Sequence, residues 1–259
     1  TLCVKNLSYR YPNTKDEHND AALKDISFSI EAGEKVGVLG SIGSGKSTLV
    51  NCLNHHLSLE SGHVFWGEKD ITHMSRQDWR SYVRTITQEP FLFSDTISEN
   101  IKFGAKQQHH QQQHPATDDL DVNQVLELSQ LKEDVQRFGA GDQTLVGEKG
   151  IMLSGGQKQR LSIARALLTP SDLIIMDNVL SAVDYETERT ILKGVFNRIQ
   201  GQSLLVVSHR VSALEYMDKI LVLEKGEIIA RGTHTELLKN SRYYRETWEL
   251  QQHESETNS

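Results

Sequence analysis

The sequence contains no run of about 18 apolar residues, so it offers no candidate for a membrane-spanning helix. An excess of basic residues is also missing. The 28 Lys and Arg residues stand against 35 Asp and Glu residues, and the resulting net charge of -7 provides no general basic surface for nucleic acid.

Cysteines are scarce as well. Cys3 and Cys52 lack paired spacing, which fits a reducing compartment and makes a structural disulfide or a thiolate metal site unexpected. The 259 residues are enough to bury a large core without disulfides, and we expect one large domain or two lobes. No signal peptide is visible, and the abrupt strand-like start leads us to expect a segment of a longer polypeptide.

The first third of the chain predicts strands, one helix and a hairpin. Residues 2–11 and 21–30 alternate between apolar and polar side chains, which predicts an antiparallel β region. A central strand is predicted over Lys35–Leu39, followed by a helix over residues 46–56 and a strand or hairpin over 62–70.

The second half of the chain predicts an α/β core with a largely parallel sheet. Apolar residues between Val122 and Val135 have helical spacing, and helical and strand patterns then alternate over residues 155–208. Residues 106–119 are polar and low in complexity, so we predict a flexible surface insertion. Its three histidines, at 109, 110 and 114, fit a solvated linker better than a metal site. Residues 253–259 are expected to be disordered.

A glycine-rich segment between the predicted central strand and the helix has the pattern of a phosphate-binding loop. "GSIGSGKS" matches G-x-x-x-x-G-K-[ST] in the strand-loop-helix context that this pattern requires. Backbone N–H groups and the helix N-terminus would surround phosphate oxygens, Lys46 would reach the β and γ phosphates, and Ser47 would bind Mg²⁺. The candidate nucleotide-binding residues here are Gly40, Ser41, Ile42, Gly43, Ser44, Gly45, Lys46, Ser47 and Thr48.

The segment "LIIMDNVLSAVD" provides a candidate carboxylate for Mg²⁺. The apolar run Leu173 to Met176 predicts a buried strand, and Asp177 at its end is the natural second Mg²⁺ group once the phosphate loop is present. The next residue is Asn178, an amide where a nucleotide-hydrolysing site would call for a carboxylate base.

Further motifs give the chain a resemblance to the ATP-binding cassette (ABC) ATPases, over nearly its whole length. "LSGGQ" matches the family's signature motif without a change, and "SAVD" matches its D-loop. Gln88 stands where the Q-loop glutamine stands, His209 after an apolar strand matches the switch histidine, and Tyr11 matches the aromatic that stacks on adenine. Tyr9, on the same face of the strand, is the alternative to Tyr11.

The resemblance implies a P-loop NTPase fold of the ABC type, with a RecA-like core, an antiparallel β subdomain and an α-helical signature subdomain. It implies a single domain over residues 1–259, with the core and β subdomain in 1–88 and 166–245 and the helical subdomain in 89–165. It also implies ATP and Mg²⁺ as cofactors, with Ser47, Gln88 and Asp177 at the metal.

In this family two domains enclose two ATP molecules head to tail, so the resemblance assigns site residues to two groups. The residues that act on the chain's own nucleotide are Tyr11, Gly40 to Ser47, Gln88, Asp177, Asn178 and His209; those that act across the interface are Ser154, Gly155, Gly156, Gln157 and Asp184. Asn178, His209 and Gln88 form the catalytic group, in which Asn178 replaces the family's Glu.

Two segments are similar to those of exporters. "TLVGEKG", residues 144–150, resembles the segment that touches the coupling helices of a membrane domain, and "FLFSDTISENIKFG" after Gln88 is also exporter-like. The C-terminal run resembles bacterial multidrug half-transporters. The implied partners are a second nucleotide-binding domain, expected to be a different half-transporter, and a transmembrane domain fused upstream or supplied separately. That arrangement implies the cytoplasmic face of a membrane, and no nucleic acid is expected.

The amide at Asn178 leaves the degree of hydrolysis open. Asn178 can hold a water but cannot accept its proton, so the resemblance implies a motor domain of an exporter with weak hydrolysis at its own site. Two alternatives are a regulatory nucleotide-binding half with negligible turnover and a soluble ABC ATPase that does not transport. A further interpretation of position 178 is that Asn is an engineered replacement for a native Glu.

Overall fold

The computed structural model describes residues 1–12, 21–103, 120–148, 150–169, 171–181, 183–199 and 201–257. The predicted insertion at 106–119, with its three histidines, lies outside these ranges.

A small antiparallel sheet forms the N-terminal part of the fold. Its strands are β1 (Leu2–Tyr9), β2 (Leu23–Ile30), β4 (Val64–Trp66) and β5 (Lys69–Asp70), in the order β2-β1-β4-β5. Alternate residues of β1 and β2, such as Leu2, Val4 and Ile26, are buried on one face, as the period of two predicts. The antiparallel β region and the hairpin expected from the sequence are both present.

A larger sheet carries the central strand. It contains β3 (Lys35–Leu39), β6 (Val83–Ile86), β7 (Leu173–Asp177), β8 (Ser203–Ser208), β9 (Lys219–Glu224) and β10 (Glu227–Gly232), in the order β10-β9-β3-β8-β7-β6. The pairs from β9 to β6 are parallel, and β10 is antiparallel to β9. The inner residues of the middle strands β7 and β8 are apolar because both faces of these strands are covered.

Helices cover both faces of this sheet and form a separate cluster beside it. They are α1 (Lys46–Leu53), α2 (Arg76–Tyr82), α3 (Ile97–Lys102), α4 (Val122–Leu128), α5 (Lys132–Arg137), α6 (Gly155–Leu168), α7 (Tyr185–Arg198), α8 (His234–Asn240) and α9 (Arg242–Thr257). Short 3-10 turns occur at Ile71–His73 and Gly141–Gln143.

Three helix predictions need correction. The helix expected over 46–56 ends at Leu53, because His55 adopts a left-handed φ of 54°. The helical spacing between Val122 and Val135 is split into α4 and α5 by Gln130, whose φ is 56°. The tail expected to be disordered from residue 253 continues α9 as far as Thr257, in a stretch rich in Glu and Gln, which favour helix.

The long helix α6 links two parts of the core. Ile163 and Ala166 pack with the inner residues of the large sheet, whereas Leu161 and Ala164 pack with α3, α4 and α5. The C-terminal half of α6 therefore packs on the large sheet with one face and on the helical cluster with another. Across the described ranges, no helix has the length and apolar character needed to cross a membrane.

Candidate functional site

The loop between β3 and α1 needs glycine for two different physical reasons. A Cβ on Gly40 would lie 2.5 Å from the carbonyl oxygen of Leu223 and closer still to the hydroxyl of Ser44. Gly43 and Gly45 instead have left-handed φ values of 80° and 106°, which side chains disfavour. The glycines therefore permit a tight turn whose N–H groups lead into the N-terminus of α1, the geometry of an anion-binding loop.

The amino group of Lys46 lies within this loop. It donates to the carbonyl oxygens of Gly40 and Ser41, both at 2.7 Å, and lies 3.5 Å from Ser44 Oγ. Burial lowers the pKa of Lys46, and the nearby Asp177 carboxylate opposes that shift. A partly buried cation held by weak carbonyl acceptors suits an incoming phosphate, which would offer it a full negative charge.

Asp177 ends β7 next to this cation. Burial raises the pKa of Asp177, and Lys46 partly opposes the shift. Ser47 is exposed in the first turn of α1. No cluster of three or more His, Cys, Asp or Glu able to hold a metal occurs among the residues that the structure describes. Mg²⁺ does not require one, because it commonly takes one or two protein ligands and completes its shell with phosphate and water. A partly desolvated carboxylate and an exposed hydroxyl fit such an ion.

Asn178 and His209 contact each other at the ends of neighbouring parallel strands. Asn178 Oδ1 lies 2.9 Å from His209 Nδ1, and because an amide oxygen only accepts, the ring nitrogen is the donor. Asn178 has a left-handed φ of 49°, a conformation that Asn tolerates well, and its N–H donates to Val207 O at 2.8 Å. Burial lowers the pKa of His209, with further lowering from Arg210 and Lys46, so its neutral form is favoured.

Tyr11 borders the first turn of α1. Its hydroxyl lies 3.1 Å from Thr48 Oγ1, and its side chain is 41% exposed. Tyr9 packs edge-on against it, with ring centroids 5.2 Å apart, and lies against the core. The geometry favours Tyr11 over Tyr9 as an open aromatic surface beside the phosphate loop.

Gln88 lies in the exposed segment after β6. Its carbonyl oxygen accepts a hydrogen bond of 3.3 Å from Gln159 Nε2, which joins this segment to α6. The exposed side chain of Gln88 is not brought against Lys46 or Asp177 by any of these contacts. The structure thus gathers Tyr11, the loop, Asp177, Asn178 and His209.

Four of the five residues expected to act across an interface line an open cleft of about 370 Å³, namely Ser154, Gly155, Gly156 and Asp184. Ser154 caps α6, and Asp184 caps α7 through Thr187, whose N–H lies 2.9 Å from Asp184 Oδ1. These hydrogen bonds lower the pKa of Asp184. The cleft residues are Ser154, Gly155, Gly156, Arg160, Val183, Asp184 and Thr187. The signature motif and the D-loop are therefore neighbours on one surface.

Two residues beside this cleft are absent from the sequence-based assignment. Asp134 and Arg160 form an ion pair of 2.8 Å, and Asp134 also accepts from Gln157 Nε2 at 2.9 Å. Their positions on different helices give no local sequence signal, since each reads as an ordinary charge on a helix face.

A groove of about 390 Å³ lies between the large sheet and the helical cluster. It combines apolar rings with cations, and its walls include Trp79, Arg80, Arg84, Phe91, Phe103 and Arg165. Phe91 is 70% exposed, and burial lowers the pKa of both Arg84 and Arg165. The two exporter-like segments meet close by, where Val146 N–H donates to Asp95 O at 3.0 Å and Leu145 bridges Thr96.

Comparison with known proteins places these features in a family context. The sequence model described as "ABC transporter" matches residues 23–181. The multidrug resistance-like ATP-binding protein MdlA of Escherichia coli (strain K12) is 37% identical over 254 residues, 98% of this chain and 41% of that protein. The ATP-dependent lipid A-core flippase of Pseudomonas putida is 39% identical over 243 residues, 94% of this chain and 38% of that protein.

A solved structure gives a matching result. The structure of a bacterial Atm1-family ABC exporter with ATP bound overlaps 96% of this chain and 42% of that chain, with a TM-score of 0.83 and 29% identity. The chain thus spans about two fifths of the length of the curated relatives it matches, at 41% of the first and 38% of the second.

Proposed function

Because the chain belongs to the ABC transporter family, we propose that it is the ATP-binding and ATP-hydrolysing domain of an exporter of the multidrug or lipid-flippase type. The whole protein would use this domain as a motor at the cytoplasmic face of a membrane.

One observation carries the proposal. Lys46 acts electrostatically on both Asp177 and His209, and Asn178 is hydrogen-bonded to His209. A cation within a glycine loop, a carboxylate and a ring donor or acceptor are the parts needed to bind the terminal phosphates of a nucleotide. Ser47, Gln88 and Asp177 would hold Mg²⁺, which neutralises phosphate charge when bound.

Two separate groups of residues support a head-to-tail dimer. Lys46 and Asp177 lie at the phosphate loop, and Ser154 and Asp184 line a different surface cleft, so one chain would provide half of each of two ATP sites. Bound ATP would favour the closed pair because it contacts both halves only when they meet. Loss of the γ-phosphate would remove that differential affinity and let the halves separate.

Hydrolysis at the chain's own site should be slow. Asn178 offers an amide oxygen already used by His209, and an amide cannot remove a proton from water near neutral pH. A general base contributes about 10²- to 10⁴-fold in rate, so its loss would leave a site that retains ATP. The partner would then be a different half-transporter with a competent site, completed by the intact signature motif of this chain.

The groove between sheet and helices fits the transmembrane partner. Its exposed ring at Phe91 and its arginines would receive the end of a membrane helix that carries both apolar and acidic side chains. Leu145 and Val146 are attached to Thr96 and Asp95, which supports the coupling role implied by the exporter-like sequence around them.

Substitution of Lys46 tests the nucleotide site. We expect Lys46→Ala to weaken ATP binding by about tenfold or more, because a charge-assisted hydrogen bond contributes about 1.5–3 kcal/mol. Isothermal titration with Mg·ATP measures the affinity, and circular dichroism checks the fold. Lys69→Ala removes an exposed lysine from β5 and serves as the control. Equal ATP affinity in Lys46→Ala and the unmodified chain would refute the site.

A regulatory nucleotide-binding half is the second candidate, and Asn178 is the observation that favours it. Turnover of the assembled dimer after the partner's own site has been silenced separates the two. A slow but measurable rate supports a motor domain, and a rate equal to background supports the regulatory half.

A further inference from the structure

Both carboxylate oxygens of Asp134 hold the first turns of α6. Oδ1 accepts from Gln157 Nε2 at 2.9 Å, and Oδ2 accepts from Arg160 Nη2 at 2.8 Å. The side chains of Asp134 and Arg160 are only 20% and 17% exposed, so this contact is shielded from solvent. Arg160 is fixed in turn by its hydrogen bond to the carbonyl oxygen of Gln130, just before α5.

Gln157, which contacts Asp134, is also hydrogen-bonded to Ser154. Gln157 Oε1 accepts from the Ser154 N–H at 2.9 Å, while Ser154 Oγ accepts from the Gln157 N–H at 3.2 Å. The side-chain amide of Gln157 must therefore point its oxygen at Ser154 and its NH₂ group at Asp134. A carboxylate at 134 fixes that orientation, because it can only accept.

These hydrogen bonds determine the surface of α6 that faces the cleft lined by Ser154 and Asp184. Ser154 Oγ is placed by the Gln157 N–H, which leaves the hydroxyl proton able to donate outward, beside the exposed N-terminal turn of α6. The ion pair with Arg160 also neutralises the Asp134 charge close to where a phosphate would approach. An isolated carboxylate at this point would repel it.

We propose that Asp134 is a positioning residue for ATP hydrolysis at the partner domain's site, acting through Gln157 and Arg160 to fix Ser154 and the N-terminal turn of α6. The inference rests on the head-to-tail dimer proposed above and identifies what holds this chain's half of the shared site in place.

The test is the steady-state ATPase rate of the assembled dimer, with the ATP affinity of this chain measured separately. Asp134→Ala removes both contacts, and we expect the partner's turnover to fall by about tenfold to a hundredfold, the scale of a small misplacement in an active site. Asp134→Asn keeps one acceptor for Gln157 and should lose less. The ATP affinity at this chain's own phosphate loop should remain unchanged in both variants.

A rescue experiment separates positioning from general stability. Arg160→Gln alone leaves the Asp134 carboxylate without its cationic partner. This variant should lower turnover at least as much as Asp134→Asn. The double variant with Asp134→Asn and Arg160→Gln replaces the ion pair by an amide pair and should recover turnover relative to Arg160→Gln. Glu133→Ala is the matched control, because that neighbouring carboxylate is 87% exposed and pairs with Arg137 on the same helix.

Ser154→Arg distinguishes failure of this inference from failure of the dimer. If Ser154→Arg lowers turnover but Asp134→Ala stays within about twofold of the unmodified dimer, the role of Asp134 is wrong and the dimer stands. If Ser154→Arg has no effect, the head-to-tail arrangement is wrong and the inference falls with it. A parallel loss of own-site ATP affinity and melting temperature in Asp134→Ala would also overturn positioning.

Discussion

At the scale of single residues, the proposed slow hydrolysis rests on Asn178. It follows Asp177 at the end of a buried strand, and its side chain accepts a hydrogen bond from His209. In the proposed site, Lys46 would bind phosphate and the neighbouring Asp177 would hold Mg²⁺. What the position lacks is a base, since an amide oxygen has no useful proton affinity near neutral pH.

A carboxylate at position 178 should therefore restore ATP hydrolysis at this site. We expect Asn178→Glu to raise single-turnover hydrolysis at this site by at least tenfold, within the range of about 10²- to 10⁴-fold expected of a general base. ATP affinity should change little, because Lys46 and the loop are untouched. The measurement requires the assembled dimer, with the partner's catalytic Glu changed to Gln.

Asn178→Gln is the matched control for this prediction. Gln has the length of Glu and meets the same left-handed backbone, with a φ of 49°, but has no basic oxygen. The two variants should differ in rate and agree in stability. Fast hydrolysis by the unmodified chain would refute the argument, and a background rate in Asn178→Glu would place the defect in the partner's signature motif.

At the scale of elements, the phosphate loop depends on close contact between β3 and β9. A side chain at Gly40 would meet the carbonyl oxygen of Leu223, which is fixed within β9 and cannot give way. We expect Gly40→Ala to lower the free energy of unfolding by about 1–3 kcal/mol, as overpacking typically does. It should also weaken ATP binding, because the displaced loop no longer presents its N–H groups together.

Gly201→Ala is the comparison for that variant. Gly201 has a left-handed φ of 83° and no atom within 4 Å of an added Cβ, so it isolates backbone strain from steric contact. Urea unfolding and ATP titration should give a stability loss in both variants and an affinity loss in Gly40→Ala alone. Normal ATP binding by Gly40→Ala would contradict the role of this close contact.

Most elements were predictable because local pattern and tertiary packing agree. The alternation in β1 and β2 and the apolar runs of β7 and β8 identify their strands, and the overlap with a solved exporter structure confirms the predicted ABC fold. The break at Gln130 was not predictable, because a Gln with left-handed φ looks like any helical Gln in sequence. The prediction of a disordered tail was wrong over residues 253–257 for a different reason. Their polar composition was taken to indicate disorder, whereas they continue helix α9.

At the scale of the whole molecule, the site depends on the order of strands. Asp177 ends β7 and His209 follows its neighbour β8, while Lys46 lies beyond the end of β3, on the other side of β8. Motifs identify these residues, but only the sheet order brings them together. The contacts of Asp134 with Gln157 and Arg160 could not be predicted from the sequence, because they join α5 to α6. The packing of these two helices depends on apolar residues elsewhere, such as Leu161 and Val135.

Charge and burial together make the stability of the molecule depend on pH. Burial lowers the pKa values of His56, His209 and His234 below the usual value near 6.5. The unfolded chain therefore binds more protons than the folded chain as the pH falls through 6.5, so folding becomes less favourable. Burial raises the pKa values of Asp177 and Glu188, and this acts in the opposite direction.

We therefore expect a lower urea midpoint at pH 6.0 than at pH 7.5, at constant salt and without nucleotide. His234 gives the sharpest control, because its Nδ1 lies 2.8 Å from the hydroxyl of the buried Tyr244 and its ring packs against Trp248. A neutral His234 can accept that hydroxyl proton, whereas the protonated ring cannot, although the negative charge of Glu215 favours the protonated form. In His234→Gln the amide oxygen can still accept from Tyr244 and has no proton to gain, so the difference between the two midpoints should shrink. Equal midpoints in the unmodified chain at both pH values would refute the histidine argument.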